Sequence, residues 1–255
     1  PNGVNGALPS KDFIPGALQE CAVGTIVWST IYAYDADKYK SKKPTTISDF
    51  FDVKKFPGKR GMRKVPKVNL EWALMADGVD GKDVYKVLAT KAGQDRAFKK
   101  LDTIKNDVLW WEAGAQPPQM LADGEVVMTS AYNGRIFNAA VTEKKNFEIV
   151  WDRQLFSFDL YAIIKGTPRL KEALRYVQFS TASEQLANQA PWISYGPTRK
   201  SSIKLISTHA TAGIKMMPQM PTAPNNFKTA VLENAEFWSD NGDELTERFN
   251  AWLAK

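Results

Sequence analysis

One cysteine, Cys21, and one histidine, His209, stand in 255 residues, and this scarcity removes several chemistries at once. A lone cysteine closes no intramolecular disulfide and builds no thiolate metal cluster, and it leaves the redox compartment open. A lone imidazole gives no support to a zinc site or to Ser-His or Cys-His catalysis, so neither a metal nor a cofactor is expected. Within Ser-Thr-His-Ala, His209 reads as a loop histidine. No run of about 18 or more apolar residues occurs, which excludes a transmembrane helix. The opening PNGVNGALPS has neither an initiating Met nor the pattern of a signal peptide, and the chain reads as processed, trimmed or truncated.

What is present is ordinary for a globular protein: 44% hydrophobic and 24% charged residues, enough for one large domain or two lobes. The net charge of +6 gathers between Lys38 and Lys67. Pro44, Pro57, Gly58, Gly61 and Pro66 break that segment into turns. It lacks the interleaved stacking aromatics of a nucleic-acid surface, so it reads as a solvated face and no nucleic-acid partner is expected.

Periodicity sketches an α/β chain. Val23 to Tyr34 is β-rich, and its Trp28-Ser-Thr faces either a ligand or the core. Ile47 to Phe51 is a short helix capped by Thr46 or Ser48, and FPGKRGM turns into a short strand. Helices follow over Val68 to Ala76, near Lys82 to Thr90, and over Gln94 to Lys105 with Phe98, Leu101 and Ile104 on one stripe. Val108 to Trp111 is a strand whose tryptophans read as packing residues. Pro117 and Pro118 open a helix that Gly124 ends. Glu125 to Ala131 is a strand delivering Tyr132-Asn-Gly-Arg135 to a helix over Ile136 to Val141. Pro168 to Ser180 is an amphipathic helix with Leu170, Ala173, Leu174 and Val177 inward. Ser183 caps a helix to Ala190, and two helices, Phe227 to Trp238 and Asp243 to Leu253, close the chain.

Strand ends that meet helix starts are where α/β folds gather ligand-binding groups. Three such junctions occur, at Glu112 to Gln119, Tyr132 to Arg135 and Gly166 to Pro168. The last follows the strand IVWDRQLFSFDLYAIIKG, Ile149 to Gly166. Alternation sends Leu155, Ser157, Asp159, Tyr161 and Ile163 to one face and Phe156, Phe158, Leu160, Ala162 and Ile164 to a core face. An ionised carboxylate in such a strand requires a partner or a wet cleft, so Asp159 marks a site.

The order of WST, ISDFFDVKKFPGKRGM, LADGEVVMTSAYNGR, IVWDRQLFSFDLYAI and GTPRLKEALRYVQFSTASEQLANQA with Tyr195-Gly-Pro resembles the periplasmic substrate-binding proteins of ABC transporters, of the spermidine- and putrescine-binding type. The resemblance runs from about Val23 to the end. It implies a two-lobed α/β fold with mixed sheets flanked by helices and a ligand in an interlobe cleft. Lobe I would hold 1–35 and 159–199, lobe II 36–158 and 200–255, with the Asp159 strand as a hinge crossing. Family members begin with about a hundred further residues, by the offset of the matching segments, so lobe I is expected to be incomplete, in a fragment or an unusually short relative.

Carried over by position, the resemblance makes Asp159 the carboxylate that grips a ligand amine. Tyr132 and Tyr195 become aromatics packed on the ligand, and Ser239, after Trp238, a polar contact. Trp28 and Ser157 line the same site. The family's acidic pair is absent, its region reading Arg63-Lys-Val-Pro-Lys-Val68, and Ser157 replaces a large aromatic. Arg135 is placed to hold a carboxylate, so a zwitterionic ligand stands beside a polyamine-like one. The expected protein is an exported (signal-peptide) monomer, periplasmic or tethered outside the cell, that serves an ABC permease. The competing readings are an enzyme on the same fold with Asp159 or Glu112 as acid or base, and a transport-system fragment that only docks with the permease.

Overall fold

The computed structural model describes residues 1–255. In chain order the first elements are α1 (Pro9–Asp12), β1 (Ala22–Asp35), α2 (Ile47–Phe51), β2 (Arg60–Arg63) and α3 (Asn69–Ala76). Next come α4 (Val84–Leu88), α5 (Lys91–Asp102), β3 (Val108–Trp111), α6 (Gln116–Ala122), β4 (Met128–Tyr132), α7 (Asn133–Val141) and β5 (Phe147–Ala162). The chain closes with α8 (Leu170–Ser180), α9 (Ser183–Ala187), β6 (Gly196–Pro197), α10 (Lys200–Ile203), β7 (Val231–Leu232) and α11 (Ala235–Leu253). This is the mixed α/β fold, sheet flanked by helices, that the sequence predicts. It divides into two compact units, residues 1–29 with 156–227 and residues 30–155 with 228–255. Strands β1 and β5 each run from one unit into the other. Residues 200–227 group with the first unit, whereas the sequence reading assigned them to the second lobe.

The second unit is built on β2, with β3 and β4 parallel to it on either side and β1 antiparallel to β4. Gly61 allows the β2–β4 approach, since a Cβ there would lie 2.2 Å from the Thr129 hydroxyl. Local chemistry sets the helix starts. Thr46 and Asp49 form a capping box on α2, and Thr90 and Asn234 accept backbone N–H bonds at the starts of α5 and α11. The core gathers Tyr32, Phe50, Met62, Trp72, Leu101 and Phe249, all essentially inaccessible. Residues 227–234 are not helical and α11 is continuous from Ala235, so one closing helix replaces the two expected. The Asn234 cap fixes that start.

One basic residue of the segment, Arg60, leaves the solvated face predicted for it. Arg60 is completely buried and donates to the carbonyls of Phe50 (2.8 Å), Phe56 (2.6 Å) and Gly58 (2.6 Å), which ties the loop before β2 to α2. Its turn-rich context hid a structural role, because carbonyl acceptors leave no mark in the sequence.

In the first unit, β6 pairs antiparallel with β1, Ile26 opposite Pro197 and Val27 opposite Gly196. Arg199, Asp12 and Ser201 form a buried knot: Arg199 Nη1 lies 3.0 Å from Asp12 Oδ2, and Ser201 Oγ donates to the same carboxylate at 2.7 Å. Ser183 is the first residue of α9 rather than its cap, and its hydroxyl lies 2.7 Å from that of Ser201. Helix α8 forms where predicted, but none of its residues is buried; the supposed core face of β5 is open at Leu160 and Ala162, and Ile164, beyond the strand's end, is open too. His209 sits in a turn, its Nδ1 accepting from the Ala212 N–H at 3.0 Å.

Candidate functional site

Because β2, β3 and β4 run parallel, their C-terminal ends fall on one edge of the second unit's sheet. Arg63 ends β2, Glu112 follows β3 and Tyr132 ends β4. The Arg63 guanidinium lies 5.9 Å from the Trp111 ring centre and 6.0 Å from that of Tyr132, which orients it by cation–π attraction. Trp111 is itself fixed by its indole N–H, which donates to Ser130 Oγ at 3.2 Å. A Cβ on Gly114 would come within 2.9 Å of the Tyr132 ring, so this glycine gives the ring its place.

A pocket of about 370 Å³ opens here, lined by Arg63, Lys64, Val65 and Glu112. Lys64 Nζ and Glu112 Oε1 are 3.3 Å apart, so the one carboxylate of the lining already faces a cation. The loop from Arg63 to Val68 is held stiffly. Asn69 Nδ2 donates to the carbonyls of Arg63 and Val65, both at 2.7 Å, and Val68 adopts φ +73°, a conformation β-branched residues avoid.

Behind this loop lies a buried acidic pair. Glu233 binds Lys67 at 2.7 Å, yet burial pushes its carboxyl above the ordinary carboxylate range. Glu71 is fully enclosed, accepting from the Trp238 indole (2.8 Å) and the Tyr85 hydroxyl (3.1 Å), while its Oε2 has no partner. Burial pushes Glu71 up to about 7.

In the first unit Asp159 is exposed on β5 rather than enclosed, so the strand carries its charge in contact with water. The Trp28 indole N–H donates to Asp159 Oδ1 at 3.1 Å, and Thr25 Oγ1 donates to the Asp159 carbonyl at 3.0 Å. Tyr195 directly precedes β6, whose Gly196 lies opposite Val27. Ser157 is half-buried on the same strand as Asp159.

The predicted residues thus fall into two sets. Trp28, Ser157, Asp159 and Tyr195 belong to the first unit, and Tyr132, Arg135 and Ser239 to the second. Arg135 is exposed on the first turn of α7, just beyond Tyr132, and Ser239 is exposed on α11 beside the anchored Trp238. Trp111 packs as the sequence reading has it, whereas Arg63 escaped that reading as a site residue. The available signal was the position of Arg63 at the end of a strand, the same rule that picked out Tyr132.

Residues 10–222 match the family described as bacterial extracellular solute-binding protein. A γ-aminobutyric acid (GABA)-binding protein of Pseudomonas aeruginosa is 46% identical over 243 residues, which are 95% of this chain and 67% of that relative. Among solved structures, a GABA receptor is 30% identical with a TM-score of 0.78, the match covering 97% of this chain and 73% of that one. The PBP MotA of A. tumefaciens B6, in complex with glucopine, is 29% identical with a TM-score of 0.80, covering 96% and 75%.

Proposed function

The chain belongs to the bacterial extracellular solute-binding protein family, and on that premise we propose that it captures an ω-amino acid of the GABA type for an ABC importer. It is a binding protein and not an enzyme, as the proteins it matches are binding proteins and receptors. GABA carries an ammonium at one end of a short methylene chain and a carboxylate at the other. In the first unit the Asp159 carboxylate, oriented by the Trp28 indole, suits an ammonium, with Tyr195 and Ser157 as further candidates there. In the second unit Arg63, backed by Trp111 and Tyr132, suits a carboxylate, with Arg135 and Ser239 as further candidates. Delivery to a membrane permease and a periplasmic setting complete the reading.

The observation that carries this choice is the Arg63 guanidinium over Trp111 and Tyr132, beside a pocket whose lining holds two cations and one already-paired carboxylate. A polyamine has an ammonium at both ends, and the second would meet like charge there. The family-derived polyamine expectation therefore gives way to its zwitterionic alternative, which the likeness to GABA binders also supports.

Thermal unfolding with GABA, putrescine or butyrate tests this, because the three share a four-carbon chain and differ only in their end groups. A ligand that binds the folded state raises Tm by mass action. GABA is expected to raise it and the other two to leave it unchanged. A shift with putrescine equal to or above that with GABA overturns the assignment.

A further inference from the structure

Arg63 is exposed, and beyond the rings of Trp111 and Tyr132 its place depends on the loop that follows it. That loop turns on Val68, whose φ of +73° a β-branched residue keeps only where its surroundings impose it. Two neighbours impose it, one on each side. Asn69, after it, ties the Arg63 and Val65 carbonyls together through Nδ2, at 2.7 Å each. Lys67, before it, reaches Glu233 Oε2 at 2.7 Å. Glu233 is a firm anchor, because it is buried and stands between β7 and Asn234, whose side chain caps α11. The same helix sends the Trp238 indole to Glu71 on α3, the helix into which the loop runs. The far end of the chain thus holds the segment that carries Arg63.

We propose, on the reading of Arg63 as the partner of the ligand carboxylate, that Glu233 is a positioning residue for that contact: by holding Lys67 it keeps the loop from Arg63 to Val68 in the conformation that lays the guanidinium over Trp111 and Tyr132. Removing one partner of an ion pair with a buried member loses the contact outright, and the strained Val68 is then free to relax. A positioning role differs in sign from a field effect. Neutralising a carboxylate in this region would, by Coulomb's law alone, strengthen the hold on an anionic ligand end. Releasing the loop weakens it.

Titration calorimetry with GABA on the wild type, Glu233→Gln, Arg63→Gln and the double variant tests this. Glu233→Gln is expected to bind GABA about tenfold more weakly, and Glu233→Asp, which keeps a carboxylate for Lys67, to recover most of that loss. The double variant is expected to bind no more weakly than Arg63→Gln alone, since an absent guanidinium cannot be misplaced, whereas independent roles would multiply the two losses. Where circular dichroism shows Glu233→Gln unfolded, Lys67→Met breaks the same pair from its exposed end and takes its place in the cycle. Unchanged or tighter GABA binding by the folded variant overturns the proposal, whatever the change in Tm, and so do multiplied losses. A loss at Arg63 without one at Glu233 removes the positioning role alone. Wild-type affinity in Arg63→Gln, or no binding by the wild type, overturns the reading of Arg63 and the positioning role with it.

Discussion

Helices α5 and α8 read alike in the sequence and end differently in the structure. Both carry apolar residues three and four apart, which defines the face a helix must bury. In α5 that face is closed: Phe98 and Leu101 are enclosed, with the Phe98 ring 6.5 Å from Phe249 and 5.8 Å from Trp252 of the closing helix. In α8 no residue is buried. Periodicity therefore states which side of a helix is apolar and says nothing of what covers it. The second unit encloses the α5 face, whereas Leu170 and Leu174 of α8 in the first unit meet water.

Substitutions at matched positions sharpen this contrast. Phe98→Ala removes a ring from a closed core and is expected to cost about 3–5 kcal/mol in urea denaturation. A loss below about 1 kcal/mol would mean that the α5 face is no more closed than that of α8.

The next effect depends on pH and also belongs to the second unit. Unfolded, Glu71 ionises near 4.5, whereas folded it keeps its proton up to about 7. Its contribution is thus complete below 4.5, declines between there and about pH 7, and stays level above. The decline amounts to about 3 kcal/mol at most. Glu71→Gln, which keeps the acceptor for Trp238 and Tyr85, is expected to flatten that part of the stability profile, so that the variant gains on the wild type between pH 4 and pH 8. Parallel profiles would show that the Glu71 carboxyl does not hold its proton in the fold.

A smaller effect is expected at the loop that carries Arg63. Asn69→Ala takes its donor from the Val65 carbonyl and leaves the Arg63 carbonyl only the Val65 N–H, at a cost of about 1–3 kcal/mol in stability. It should also weaken ligand binding, which unchanged binding by calorimetry would refute. Smallest of all is Phe179→Ala in α8, expected within about 0.5 kcal/mol because the ring already meets water. A cost like that of Phe98→Ala would erase the difference between the two helices.

The sequence made legible whatever depends on local pattern. The capped helix at Ile47, the strand at Val108, the proline-led helix α6 and the strand-to-helix turn at Tyr132 all follow from spacing, caps and breakers, and all stand in the structure. What escaped it depends on distant partners. Arg60 reads as a surface cation until the carbonyls of Phe50, Phe56 and Gly58 surround it. Asp159 reads as a charge in need of a partner or water, and which partner it has, the Trp28 indole of a distant strand, leaves no mark in its own segment. Arg63 gains its meaning only when parallel strands bring Trp111 and Tyr132 beneath it. Resemblance placed the chain among solute binders and pointed to polyamines, while the charges in the pocket favour a zwitterion.

The central claim is that Arg63 selects the carboxylate end of the ligand, and titration calorimetry of wild type and Arg63→Gln against GABA and putrescine tests it most directly. Losing a charge-assisted contact costs about 2 kcal/mol, so the variant is expected to bind GABA roughly 30-fold more weakly. Putrescine, relieved of a like charge, should bind the variant no worse than the wild type. Equal losses for both ligands, or unchanged GABA affinity, would contradict the account.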